Sequence, residues 1–251
     1  MIILNCYILS LKKDLDRRAS IKKQFLLNKD IKYEFFDAID PIGLANSFNL
    51  ENLKNKTNLT IGEMCCAFSH LSIYEKILNL NENVGIVLED DAQIHENIRS
   101  KLNDLESLHK VFDVIIIGYS KCNLNLASRM KYIRPGIKVH SEEAFARFPY
   151  KQWKCGTVGY SINRSGADKI LEINKELKFS SDNWEEFEKR GLKVGHYSNI
   201  FITEDFYTFQ SNLELERGTF RNPSYFLRYL AGTFRHLILL YRLYAMKKIL
   251  K

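Results

Sequence analysis

Three consecutive carboxylates, Glu89-Asp90-Asp91, follow directly on the apolar run Val84-Gly85-Ile86-Val87-Leu88. Carboxylates crowded together repel, and a bound divalent cation is the simplest way to relieve them. Hard oxygen donors suit Mn2+ or Mg2+, which keep coordination positions open for phosphate oxygens. Residues two apart in a strand point the same way, so Glu89 and Asp91 are expected to face one ion while Asp90 faces elsewhere. A solvated turn or a helix cap is the competing reading of the same three acids. Asp37 and Asp40 close another apolar segment, with a strand-end turn before Pro41 as their competing explanation. Glu63 and His70 share one helical stripe. Glu63 also fits a capping box, Asp182 also fits an N-cap, and a single histidine on a helix is more often structural.

These side chains need a scaffold, and the chain alternates strand and helix patterns. Residues 2–9 read as a buried strand, followed by a helix capped by Asp14 or Asp16 and running to about Asn28, with Ile21, Phe25 and Leu26 on its apolar side. Tyr33–Phe36 is a short strand, and the Asn-rich stretch from Pro41 to Asn58 reads as a loop. Thr60-Ile61-Gly62-Glu63 opens a long helix to about Leu80, and Val84–Leu88 is the next buried strand. A helix near His95–His109 leads to a strand over Val111–Ile117 that ends at Gly118. Residues 119–152, broken by Pro135-Gly136 and Pro149, form a long connection. A strand over Thr157–Ile162, helices over Ser165–Leu177 and Asp182–Arg190, and a strand over Leu192–His196 complete the pattern. The expectation is an α/β fold: an open, largely parallel twisted sheet with helices on both faces. Ligands bind such sheets beyond the carboxyl ends of the strands, where Asp37, Asp40, Glu89, Asp90, Asp91 and Gly118 all fall.

The chain has 251 residues with 45% hydrophobic and 12% aromatic content, few prolines and few glycines, which excludes disordered and collagen-like classes. Five cysteines without a Cys-x-x-Cys pair argue against a zinc ribbon or a disulfide scaffold and for a reducing compartment. The N-terminus lacks a basic n-region and a small-residue cleavage site, so no signal peptide is expected. The net charge of +7 resides wholly after Arg217, where Arg221, Arg228, Arg235, Arg242, Lys247, Lys248 and Lys251 meet no acid. Residues 1–217 are thus balanced, which argues against nucleic acid as a partner. In residues 218–251 the four arginines recur every seven residues among Phe, Leu and Tyr, and the longest uncharged apolar run is Leu237–Tyr241. That is far short of a spanning helix. It is the pattern of a C-terminal basic amphipathic helix lying on an anionic membrane surface through residues 222–251, with a helix packed on the sheet or on a second copy as the alternative.

Three blocks resemble glycosyltransferase family 25, the bacterial lipooligosaccharide and lipopolysaccharide galactosyltransferases. The first is the N-terminal strand with Arg17-Arg18, then Phe35-Phe36-Asp37-Ala38-Ile39-Asp40. The second is Leu59-Thr60-Ile61-Gly62-Glu63-Met64-Cys65-Cys66-Ala67-Phe68-Ser69-His70, followed by Ile86-Val87-Leu88-Glu89-Asp90-Asp91-Ala92. The third is Gly156-Thr157-Val158-Gly159-Tyr160-Ser161-Ile162 with Gly166-Ala167 and Asp182. The resemblance spans about residues 1–215 and implies a GT-A-like fold, a nucleotide-sugar donor and a metal held by the acidic triplet. It implies inversion at the anomeric carbon, so a carboxylate must deprotonate the acceptor hydroxyl.

The expected roles follow. Asp91 and Glu89 are the metal ligands, and Asp182 is the candidate base. Arg17, Asp37, Asp40, Glu63, His70, Glu89 and Asp90 contact the donor, with Arg17 and Arg18 meeting the diphosphate. Tyr160 and Trp153 stack on a sugar or fill the core, and His196 is a further candidate ligand. The resulting expectation is a GT-A-like domain over residues 1–217 and a membrane-associating segment over 218–251. The enzyme would transfer a hexose, galactose from UDP-galactose, to a lipooligosaccharide acceptor. It would work in the cytoplasm, peripherally on the inner face of the bacterial inner membrane. A metal-dependent phosphohydrolase, for which no nucleophile motif is present, and an inactive membrane-bound scaffold are the alternatives.

Overall fold

Alternate residues of the first strand enter two different cores, and this sets the architecture. The computed structural model of the chain describes residues 5–47, 49–125, 127, 146–147, 155–205 and 208, with isolated positions 237, 240, 241 and 244. β1 (Asn5–Ser10) sits between β2 (Lys32–Asp37) and β3 (Val84–Glu89), parallel to both. Its Tyr7 and Leu9 pack on one side of the sheet, and Cys6 and Ile8 on the other. The first side is covered by α2 (Pro41–Ser47), α3 (Leu50–Lys56), α4 (Ile61–Asn79), α6 (Arg164–Ile173) and α7 (Trp184–Lys189). The second side is covered by α1 (Leu15–Phe25) and α5 (Leu102–Leu108). Helices thus lie on both faces of the sheet, which makes this an α/β fold.

The large sheet has seven strands in the order β2-β1-β3-β8-β5-β9-β7, completed by β8 (Gly159–Asn163), β5 (Val114–Ile116), β9 (Val194–Tyr197) and β7 (Ala146–Arg147). It is mixed rather than largely parallel, because β8 runs antiparallel to β3 and β5, and β7 antiparallel to β9. The inversion matters for the site: β8 starts opposite Leu88, so the residues just before it lie at the edge where β1, β2 and β3 end. There Ser10 is level with Asp37, and Leu9 is level with Glu89. A second sheet, β4 (Ala92–Ile94), β10 (Ile202–Glu204) and β6 (Gly118–Tyr119), stands beside that edge.

Several local expectations change. Residues 41–58 are not a loop: Pro41 opens α2, where its missing N–H is not needed, and the Asp40 carboxylate accepts from Gly43 N at 2.8 Å. Asn49 caps α3 by accepting from Asn52 N, and Leu44 and Leu53 are buried. There Asn49 serves as a cap rather than as a loop former. Asp14 stands at the N-cap of α1 without a side-chain cap bond, and Leu26, past its end, is exposed. The expected helix near His95–His109 is present as a 3-10 turn over Ile98–Lys101 continued by α5, and residues 92–94 just before it pair with β10 as β4. The strand ending at Gly118 is β5 alone; the chain then crosses to the small sheet, where Gly118 pairs with Ile202. The expected capping box is present, with Thr60 N bonded to Glu63 Oε2 and Glu63 N to Thr60 Oγ1. The connection over 119–152 and the tail over 218–251 lie largely outside the described residues; Leu237, Leu240, Tyr241 and Tyr244 are helical and exposed.

Candidate functional site

A cleft of about 390 Å³ opens at the edge where β1, β2 and β3 end. Its walls are Leu11–Arg17 after β1, Ala38–Pro41 after β2, the first two turns of α4, and Glu89–Asp91. The volume suits a small-molecule ligand.

The acidic triplet ends the strand rather than continuing it: Glu89 is the last residue of β3, and Asp90 and Asp91 form the turn to β4. Strand alternation therefore stops at Glu89, and Asp90 does not face away from Asp91. Arg17 Nη1 donates to Asp90 Oδ1 at 2.8 Å and to Asp91 Oδ2 at 3.1 Å. Asp91 Oδ1 is buried and has no hydrogen-bond partner among the described residues. Burial and then the charge of Glu204 raise the Asp91 pKa, against the pull of Arg17. Burial and then Asp91 raise that of Glu89, which Thr157 Oγ1 partly offsets by donating to Glu89 Oε1. Gly156, at φ +70°, makes the left-handed turn that delivers Thr157, and a Cβ there would lie 1.9 Å from Ser120 Oγ.

Glu204 and Thr157 are partners that the sequence reading missed. Ile200-Phe201-Ile202-Thr203-Glu204-Asp205 is another apolar run ending in acids, the same signal as at Glu89. β10 brings it close: Glu204 is level with Ala92, and Asp205 N donates to Asp91 O at 2.8 Å. Three mutually repelling carboxylates, one with a bare buried oxygen, are a donor set that fits a hard divalent cation. Lys13 in the cleft wall was also missed.

The other candidates distribute unevenly. Asp40 lines the cleft. Asp37 is more than half exposed and pairs with Arg18 at the neighbouring strand end. Arg18 is thereby engaged, also donating to Ser10 O and lying over the Phe35 ring. Glu63 closes the capping box and does not line the cleft. His70 is buried, with Nδ1 2.6 Å from Tyr160 OH and Nε2 3.9 Å from Glu89 Oε1, and burial lowers its pKa to about 3. Cys66 Sγ, His70 Nε2 and Glu89 Oε1 lie within 4.8 Å of one another, close enough to hold a metal ion. Tyr160 is core, edge-on to Trp184. His196 is interior on β9 and away from the cleft, and Trp153 lies outside the described residues. Asp182 does not supply the cap of α7, which begins after Asn183; its carboxylate accepts from Ser180 Oγ at 2.7 Å. The preceding Ser181 touches the cleft-lining Cys66 at 3.3 Å, so Asp182 borders the cleft without lining it.

The family model "Glycosyltransferase family 25 (LPS biosynthesis protein)" matches residues 3–184. The chain belongs to glycosyltransferase family 25. A putative glycosyltransferase of Haemophilus influenzae is 28% identical over 210 residues, 80% of this chain and 70% of that protein. The lipooligosaccharide biosynthesis protein lic2B of Haemophilus influenzae is 28% identical over 180 residues, 65% of this chain and 61% of that protein. Procollagen galactosyltransferase 1-A of Xenopus laevis is 27% identical over 186 residues, 68% of this chain but only 28% of that protein's length. Among the described residues of this family 25 chain, no helix is long and apolar enough to cross a membrane.

Proposed function

We propose that this family 25 chain is a divalent-cation-dependent, inverting hexosyltransferase that moves galactose from UDP-galactose to a lipooligosaccharide or lipopolysaccharide acceptor. The observation that carries the reading is the bare Oδ1 of Asp91 among Glu89 and Glu204 at a cleft of donor size. Asp91 and Glu89 would hold Mn2+ or Mg2+, which when bound offsets the charge developing on a departing diphosphate. Arg17 fixes Asp90 and Asp91 from below, and Lys13 adds positive charge at the wall where the diphosphate would lie. Asp40 serves the nucleoside end of the cleft, while Asp37, held by Arg18, lies outside its lining. Thr157 and His70 position Glu89 rather than touch the donor, and Glu63 holds the start of α4.

Asp182 is the proposed base. It takes the proton of the acceptor hydroxyl as that oxygen bonds to the anomeric carbon and the bond to UDP breaks, with inversion. Galactose as the sugar rests on the printed name of the frog relative, and the glycolipid acceptor on that of lic2B. The tail over 218–251 is read as the part that holds the enzyme to the anionic inner face of the bacterial inner membrane. The exposed helical positions Leu237, Leu240, Tyr241 and Tyr244, spaced along one helical stripe, support it. UDP binding measured by calorimetry with and without Mn2+ tests the centre of the proposal. Binding should need Mn2+ and weaken at least about 100-fold in Asp91→Ala; binding that ignores both would sink it.

A further inference from the structure

The transfer chemistry leaves unused a thiol beside Glu89 and the bare nitrogen of the imidazole that positions it. Cys66 and His70 stand one turn apart on α4, so the helix itself fixes their spacing. Glu89 reaches the same point from the end of β3, and the three donor atoms lie within 4.8 Å of one another. The His70 ring is 1% exposed, and its Nε2 has no hydrogen-bond partner among the described residues. That nitrogen faces Glu89 Oε1 at 3.9 Å. Its other nitrogen is anchored: Nδ1 is 2.6 Å from Tyr160 OH, which is 2.7 Å from Tyr74 OH. Both phenol hydrogens rotate, so Nδ1–H can donate to Tyr160 and leave the Nε2 lone pair directed at Cys66 and Glu89.

We propose that Cys66, His70 and Glu89 form a site for a borderline-soft divalent cation, zinc above all, which shares Glu89 with the oxygen-lined centre at Asp91 and competes with it. The donor set decides the metal. Thiolate, imidazole and one carboxylate are the ligands of tetrahedral zinc, whereas Asp91 and Glu204 offer only hard oxygens. Bonds of about 2.0–2.3 Å place tetrahedral zinc ligands roughly 3.5 Å apart, so the 3.9 Å between His70 and Glu89 needs a closure of only tenths of an ångström. Cys66 is not in a disulfide and lines the cleft, which gives the ion its entry path and leaves a fourth position open to water. Zinc would draw Glu89 away from Asp91 and so oppose the catalytic cation. That consequence rests on the transferase reading; the binding itself does not.

The test uses the full chain, with Co2+ as a spectroscopic probe and Zn2+ titrated in competition. Wild type and Asp91→Asn should both show thiolate-to-cobalt charge-transfer absorption that zinc displaces. Cys66→Ser, shown to be folded by an unchanged melting transition, should lose that band and bind zinc at least about tenfold more weakly. Absence of the band in folded wild type, equal zinc affinity in Cys66→Ser, or loss of the band in Asp91→Asn would each overturn the proposal. Mn2+-dependent UDP binding on the same samples reports the Asp91 centre separately.

Discussion

Arg17 holds one oxygen of Asp91 and leaves the other bare: Nη1 lies 3.1 Å from Oδ2, while Oδ1 is buried without a hydrogen-bond partner among the described residues. The guanidinium balances part of a local excess of carboxylates. Replacing Arg17 with Ala leaves Asp90, Asp91 and Glu204 to repel one another. The metal-free protein should lose about 3 kcal/mol, as expected for a buried pair stripped of one partner. A saturating divalent cation should recover much of that loss in thermal melts. A deficit equally large with Mn2+ would show that the carboxylates do not share an ion.

Asp182→Asn separates chemistry from binding. With Asp182 as base, turnover should fall by about 10²–10⁴-fold while Mn2+-dependent UDP affinity stays constant. A variant with normal turnover would return Asp182 to the plain structural role that its bond from Ser180 already explains.

Acid sensitivity has a source outside the cleft. His109 is half-buried, with Nε2 2.6 Å from Ser161 Oγ, and desolvation of its ring lowers its pKa to about 4 from 6.5. The unfolded chain therefore binds a proton near pH 6.5 that the folded chain refuses until about pH 4, so stability falls as pH drops through that window. From pH 7 to 5 this amounts to roughly 2 kcal/mol. His109→Gln should flatten that part of the pH profile in denaturant titrations. Glu89 and Asp91 act with the opposite sign in metal-free protein. Their raised pKa values mean that stability is lost as pH rises through the folded values, and Mn2+ should cancel this slope. A His109→Gln profile parallel to wild type would refute the assignment.

Deleting residues 222–251 should release the protein from anionic vesicles and spare turnover on a soluble acceptor. Each basic residue near such a surface contributes about 1 kcal/mol, so the partition coefficient should drop at least about 100-fold and the loss should be mimicked by salt. Sedimentation with vesicles reads it directly; undiminished binding would assign the tail another role.

What was legible in the sequence was local. The in-out alternation of β1 and β3, the Thr60–Glu63 box and acids at strand ends are fixed by neighbours a few residues apart. What was not legible depends on distant partners. β8 reads as a strand, but its reversal is set by where β3 and β5 stand. Residues 92–94 become a strand because β10, over a hundred residues later, pairs with them. Glu204 carries the same apolar-then-acid signal as Glu89, yet only the small sheet reveals that they belong together. Asn49 and Asp40 mislead for a different reason, since the residue types that favour loops are also those that cap short helices.

The backbone bond from Asp205 to Asp91 also sets a leash. Residue 222, where the basic segment begins, is 17 positions further along the chain. Covalent geometry holds it within about 60 Å of that bond whatever path lies between. Under the proposed membrane assignment, a glycolipid acceptor on the surface that holds the tail stays within that reach of the cleft. Its local concentration is then set by tether length and lipid density, and a weak acceptor subsite is enough for efficient turnover.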